Sequence, residues 1–213
     1  MKNPIQSMAK YALMLLVTSI SVVSCKKKTE EPAPVENEDI TTVLLTFKNP
    51  ATLSDSVVYR AFFSKGYSQA ATTPPTFSIT STKVALTKGV AYNVSVRLFN
   101  ALVTPIEDVT VGIIANTPAG SEEGNANHQI YYGFNTAFAS LAYADVDQNG
   151  KPLGVKTTVV TSSTATTTGS LNLKLIHLPN KAQNTPATPY TYTASSIGGS
   201  ADIDVTFNNI VLQ

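Results

Sequence analysis

The chain reads as an all-β protein, a β-sandwich of immunoglobulin-like or related Greek-key architecture, on three observations. From Thr41 onward the apolar residues recur with a period of two rather than 3.6. The runs are dominated by β-branched and aromatic residues, and glycine-bearing pairs that tolerate positive φ separate them, at Lys88-Gly89, Asn149-Gly150, Thr168-Gly169 and Gly198-Gly199. Beyond the first 24 residues no stretch keeps helical periodicity for three turns.

Strands are predicted over Thr41 to Phe47, Ser56 to Phe63, Thr76 to Ile79, Lys83 to Leu86, Ala91 to Phe99, Val109 to Ala115, Gln129 to Phe134, Phe138 to Tyr143, Thr157 to Thr161, Ser170 to Leu178 and Ala201 to Leu212. In the fifth, Tyr92, Val94, Val96 and Leu98 form one face while Asn93, Ser95 and Arg97 form the other. Leu171, Leu173 and Leu175 alternate with Asn172, Lys174 and Ile176, and Ile203, Val205 and Phe207 with Asp202, Asp204 and Thr206. Half-buried antiparallel strands carry this pattern. The polar stretch 161–168 and the segment 180–199 read as long loops, and the chain shows no internal repeat.

The amino terminus reads differently. Lys2 and Lys10 flank the start of a short apolar run that ends at Val22-Val23-Ser24-Cys25, the pattern of a secretory signal peptide with a small residue before the cut. Tyr11 to Ser24 supplies 14 residues, including Thr18, Ser19 and Ser21, where a membrane-spanning helix needs about 20 apolar ones. Val-Val-Ser-Cys resembles the lipobox of bacterial lipoproteins, which makes Cys25 the predicted lipidation site. Acyl chains contribute about 0.8 kcal/mol per buried methylene, so two or three of them hold a protein at a membrane. Three segments follow: residues 1–24 as a lipoprotein signal peptide, 25–39 as lipidated Cys and acidic linker, and 40–213 as a single sandwich domain. The linker, Glu30 to Asp39, is acidic and proline-bearing with too little apolar surface to pack.

Of the 15 basic side chains only Lys2 and Lys10 precede Cys25, which leaves 13 against 14 acidic ones in the remainder. A net charge near zero speaks against nucleic acid as a partner. Lys26, Lys27 and Lys28 form the one basic cluster, either a solvated spacer or a contact to anionic headgroups. With one cysteine an internal disulfide is impossible, so the domain depends on its core. A chain of about 150 ordered residues buries close to 70% of its unfolded surface, which is enough.

Several segments together resemble a group of small Bacteroidota outer-membrane lipoproteins of unestablished function, often labelled a type 1 periplasmic binding fold superfamily. They are Thr42 to Phe47, Leu86-Thr87-Lys88-Gly89 with Tyr92 and Leu98-Phe99-Asn100, Glu107 to Thr110, and His128-Gln129-Ile130-Tyr131-Tyr132. Further on come Tyr143 and Asp145 to Gly154, Gly169-Ser170-Leu171 through His177-Leu178-Pro179, and Asp204 to Phe207. The fold named in that label is a larger α/β two-lobed one, and the alternating helices it needs are missing here, so the sandwich is retained. The resemblance implies a lipid-anchored accessory module of the outer membrane, on its periplasmic or its cell-surface face, with a TonB-dependent receptor as partner.

Asp145, Asp147, Asn149 and Gly150 match the opening of a calcium loop, in which oxygens at alternate positions converge on the ion. The closing glutamate position holds Lys156, so a polar hairpin turned at Asn149-Gly150 is the competing reading. No cofactor is required, and calcium is the one the loop suggests. His128 and His177 are the only histidines; with Glu122 or Glu123 they would make a zinc-type donor set, but 49 residues separate them. A histidine before Pro179 also suits a strand end, satisfying a backbone carbonyl. His128, Tyr131, Tyr132 and His177 are the candidate ligand-binding residues, and Tyr190 and Tyr192 suit either a sugar platform or a strand face. Asp55-Ser56-Val57 resembles a short O-glycosylation acceptor of Bacteroidota. There is no Gly-x-Ser-x-Gly elbow, no His-Glu-x-x-His and no phosphate loop, so the expectation is a binding protein and not an enzyme. A structural or glycan-binding surface lipoprotein is the alternative.

Overall fold

The period-two pattern becomes a period-two burial. In the computed structural model, which describes residues 39–52, 54–118, 121, 123–134, 138–164, 168–182 and 197–213, Val43, Leu45 and Phe47 of β1 (Thr42–Lys48) are buried while Thr42, Leu44 and Thr46 between them are half-buried. The expectations for the leader, for Cys25, for the linker up to residue 38 and for Glu122, Tyr190 and Tyr192 lie outside the described residues.

The other strands are β2 (Ser56–Phe62), β3 (Thr76–Ile79), β4 (Ala85–Leu86), β5 (Ala91–Asn100), β6 (Glu107–Asp108), β7 (His128–Phe134), β8 (Ala139–Tyr143), β9 (Lys156–Thr161), β10 (Thr168–His177) and β11 (Ser200–Leu212). They form two sheets. The larger runs β3-β2-β1-β5-β9-β8, with β6 on the flank of β5; the smaller runs β4-β11-β10-β7, antiparallel except for the parallel β4–β11 pair. Three consecutive strands followed by β5 returning beside β1 give the order β3-β2-β1-β5, a Greek key. The protein is an all-β sandwich.

One apolar interior lies between the sheets. Val57, Tyr59 and Ala61 of β2, Tyr92, Val94, Val96 and Leu98 of β5, Ile130 and Tyr132 of β7, Leu171, Leu173 and Leu175 of β10, and Ile203, Val205 and Phe207 of β11 all belong to it. Each fully buried Leu, Ile, Val or Phe contributes about 1.5–3 kcal/mol relative to exposure. Rings tie the layers: Phe47 meets Tyr59 and Tyr92 edge-on at 5.9 and 6.1 Å, and Tyr59 reaches across to Phe207 on the opposite sheet at 6.3 Å.

The predicted strand over Val109 to Ala115 is instead a short helix, α1 (Val109–Ile114). The reason is space along β5. Residues Ala91 to Ser95 already pair with β9, and Val96 donates its N–H to Val155 O. On the same flank β6 pairs only Phe99 and Asn100. A continued strand would run into β9. The chain turns into a helix, and the Thr110 hydroxyl accepts from Leu98 N at 2.8 Å and donates to Leu98 O, taking the ladder position a strand would have filled. Thr168-Gly169 is likewise no turn but the start of β10; a Cβ on Gly169 would stand 2.1 Å from the Phe138 ring. Gly89, Gly150, Gly198 and Gly199 do take positive φ, as the turn reading required.

The segment 144–155 covers the edge of β7. Ile130 donates to Leu153 O at 2.8 Å, the Tyr132 hydroxyl donates to Gly154 O, and the Tyr143 hydroxyl donates to Ile130 O at 2.9 Å. An edge strand so covered cannot template pairing with another chain. Gly154 makes the approach possible: its φ is +90°, and a Cβ would lie 2.5 Å from Ile130 O and 2.8 Å from Tyr143 Cε1. Gly150, with φ +74°, has nothing within 4 Å. Both positions penalise alanine by about 1–2 kcal/mol through the left-handed backbone, and overpacking adds about 1–3 kcal/mol at Gly154 alone. Gly154→Ala should therefore lower the urea midpoint clearly more than Gly150→Ala; equal losses would mean that the covering segment does not press on β7.

Candidate functional site

The two histidines, 49 residues apart in sequence, are direct cross-strand partners. His128 opens β7, His177 closes β10, and antiparallel register sets one opposite the other. Their rings stack at 4.8 Å between centroids with 7° between planes. Among the described residues the carboxylate beside them is Asp202 and not Glu123: Glu123 is exposed, whereas Asp202 Oδ2 lies 3.7 Å from His128 Nε2. Asp202 is positioned by a bulge, since Leu175 pairs with Ile203 and Ile176 with Ala201, leaving Asp202 as the extra residue. Bulges re-aim side chains in this way. One ligand-type atom from each of His128, His177 and Asp202 lies within 4.8 Å of the others, and all three residues are buried.

His128 Nδ1 is 2.9 Å from Gly124 O. A carbonyl only accepts, so Nδ1 carries the proton and Nε2 of the neutral ring is an acceptor. Burial pushes the His128 imidazole down to about 4, helped by the nearby His177 and Lys181 charges and opposed by the Gly124 bond, so the ring is neutral at physiological pH. Burial pushes the Asp202 carboxyl up to about 6, with the charge of His177 pulling the other way. Gly199 makes the turn into β11 with φ +78°, where a Cβ would meet His177 O at 2.4 Å.

A second polar cluster lies in the hairpin of the calcium-like motif. The Asp145 carboxylate accepts from Gly154 N and Lys156 N, each at 2.8 Å, and burial raises its pKa against those bonds. Asp147 Oδ1 accepts from Asn149 N and Lys151 N, and Oδ2 from the Lys181 ammonium, all at 2.8 Å. Asn149 is exposed and shapes the turn through its backbone. The carboxylates that would bind calcium are saturated by amide donors, and the cation among them is Lys181, which also donates to Asn125 O at 2.8 Å. Burial pulls the Lys181 pKa down while Asp147 holds it up. This geometry favours the hairpin reading. Asn125 joins the pieces: its amide donates to Ile114 O at the end of α1 and to Asn116 Oδ1, and its Oδ1 accepts from Gln148 N.

Tyr131 and Tyr132 are not surface platforms. Tyr131 is 1% exposed in a small outer cluster with Ile176 and Ile197, and Tyr132 is 9% exposed in the main core. Neither can stack on a sugar. Asp55, in the acceptor-like tripeptide, holds Lys83 Nζ at 2.5 Å and Asn49 Nδ2 at 3.0 Å; burial would raise its pKa, but these bonds outweigh burial and hold it low. The surface feature that sequence reading missed is apolar: Leu102, Val103, Ile106, Val111 and Ile114 are all exposed, Ile106 by 65%. Its signal was present in α1, where Val109 and Ile113 are buried at spacing i, i+4 while Val111 and Ile114 face out.

Lys181 and Asp147 are an unequal pair. Asp147→Ala leaves a buried ammonium without its counter-charge and should cost about 3–5 kcal/mol. Lys181→Met leaves Asp147 with two amide donors and should cost less than half as much. Chemical denaturation of the two variants checks the order, and the reverse order would show that the lysine organises the hairpin. Comparison of the chain with protein-family models, with curated proteins and with solved structures finds no match to any of them.

Proposed function

We propose that this protein is a lipid-anchored envelope module that works by binding an outer-membrane receptor of the TonB-dependent kind, and not by catalysis. The observation that carries the reading is the exposed apolar segment between β5 and the end of α1. Scattered apolar side chains are ordinary on a protein surface, but five large ones within 13 residues are not. Such a concentration marks a surface that another protein covers. The lipobox-like Val22-Val23-Ser24-Cys25 supports the membrane side of the proposal, because a tether at the amino terminus removes any need for the sandwich to insert in the bilayer itself. Among the described residues no helix is long and apolar enough to cross a membrane.

The edges of the segment suit a protein partner. Arg97 and Asp108 form an exposed ion pair at 2.5 Å next to it, and Arg97 also lies over the Phe99 ring at 4.7 Å. An apolar centre with a polar rim is the usual anatomy of a protein interface.

Two experiments test the proposal. Cys25→Ser should move the protein out of the membrane fraction; retention there would mean that a lipid on Cys25 does not hold it. In intact cells, crosslinking should capture a β-barrel receptor. Ile106→Asp with Val111→Asp should reduce that crosslink about tenfold or more while thermal stability changes by no more than about 0.5 kcal/mol, as expected for surface sites. An undiminished crosslink would show that the segment is not the interface.

A further inference from the structure

We propose that His128, His177 and Asp202 form a binding site for one divalent transition-metal ion of the zinc class, independently of any receptor contact. The ligands would be Nε2 of His128, one imidazole nitrogen of His177 and one carboxylate oxygen of Asp202. Three neighbouring strands of one sheet, β7, β10 and β11, each supply one of them.

Two lone pairs face each other at this site. The Gly124 carbonyl fixes the proton of His128 on Nδ1, so Nε2 presents a lone pair. What faces it is Asp202 Oδ2 at 3.7 Å, another acceptor, too far for a hydrogen bond and close enough to repel. Among the described residues the Asp202 carboxylate accepts no hydrogen bond, although it is 8% exposed on its side chain. Buried carboxylates are normally hydrogen-bonded, paired or metal-bound. A cation between the two acceptors turns the repulsion into ligation.

Geometry and charge point to the class of ion. Two ligands of a tetrahedral zinc ion, each about 2.0–2.1 Å from the metal, are separated by about 3.3 Å. The 3.7 Å between His128 and Asp202 is close to that, and all three separations lie within 4.8 Å. Imidazole nitrogen with one carboxylate suits zinc-class ions, whereas calcium and magnesium prefer an all-oxygen shell. The Nδ1–H to Gly124 O bond is the outer-shell support that orients metal-bound histidines and raises their basicity. The carboxylate of Asp202 brings negative charge to the site, which suits a dication. Lys181, whose charge bears on His128, is paired with Asp147 at 2.8 Å. Three protein ligands leave a fourth position for water or for a donor from a bound molecule.

The test uses the full chain in detergent, stripped with chelator and then titrated with zinc chloride. One equivalent should bind and the thermal midpoint should rise, while calcium and magnesium chloride at the same concentration should do neither. His177→Gln and Asp202→Asn should each lose the bound equivalent and the midpoint shift. Absence of zinc binding by the unsubstituted protein overturns the proposal, and so does full zinc binding by either folded variant. Should the variants fail to fold, cobalt chloride with the unsubstituted protein decides: the intense visible bands of a tetrahedral nitrogen and oxygen shell support the site, and the weak spectrum of the hydrated ion overturns it.

Discussion

The register of β7 against β10 and of β10 against β11 is the constraint on which both the interior and the polar cluster depend. Side chains alternate with a period of two, so a slip of one residue would turn Leu171, Leu173 and Leu175 out to solvent and bring Asn172, Lys174 and Ile176 inward. Burying the polar groups of Asn172 and Lys174 without partners costs several kcal/mol each. The same register that seats the leucines sets His128 opposite His177. Positions of the two imidazoles are thus consequences of core packing, held with the rigidity of the sheet rather than of a loop. Exposed partners add to the pinning, since Lys174 and Asn172 both reach Asp204 across the β10–β11 ladder.

Strands that lie half-buried in the sandwich were legible because one face of each packs on the other sheet. For β1, β5, β10 and β11 the alternation read from residues is the burial seen in the structure except at Ile176 and Asp202, which are both buried, with ends displaced by one or two residues. The segment Val109 to Ile114 was not legible. Its β-branched residues favour a strand locally, and the decision is made by β9, which takes the flank of β5 that the strand would have needed. Long-range occupancy of an edge leaves no trace in a local pattern. Gly169 illustrates the same limit, since a glycine that makes room for the Phe138 ring looks like a turn glycine until the ring is in place.

For the candidate site the residue types were visible and their meeting was not. His128 and His177 come together through β7 and β10, which are separated in the chain by β8 and β9 of the other sheet. A hairpin would have announced itself by its turn, but a pairing that skips two strands does not. Asp202 is hidden by a further device. On a regular β11 it would share a face with Asp204, and only the extra residue opposite Ile176 brings it to the histidines. Tyr131 and Tyr132 mislead in the opposite direction: two adjacent aromatics suggest a platform, yet both faces of β7 are covered, one by the main core and one by Ile176 and Ile197.

The two polar clusters near this end of the smaller sheet solve one electrostatic problem differently. In the Asp145–Gly154 hairpin every carboxylate oxygen of Asp145 and Asp147 has a donor from the chain itself, and the cation it calls for is supplied as Lys181. Nothing further is demanded from solution. At His128 and Asp202 two acceptors face each other with no hydrogen bond between them, although a lysine is near enough for its charge to bear on the histidine. Asn125 explains why that lysine does not serve both. Its backbone carbonyl, fixed by its amide bonds to Ile114 and Asn116, holds the ammonium on the Asp147 side. A buried ammonium that let go of Asp147 to reach Asp202 would strand one carboxylate to satisfy another, and the gain would cancel. The fold therefore closes one cation site internally, and the acceptors at the other remain matched to a cation from outside.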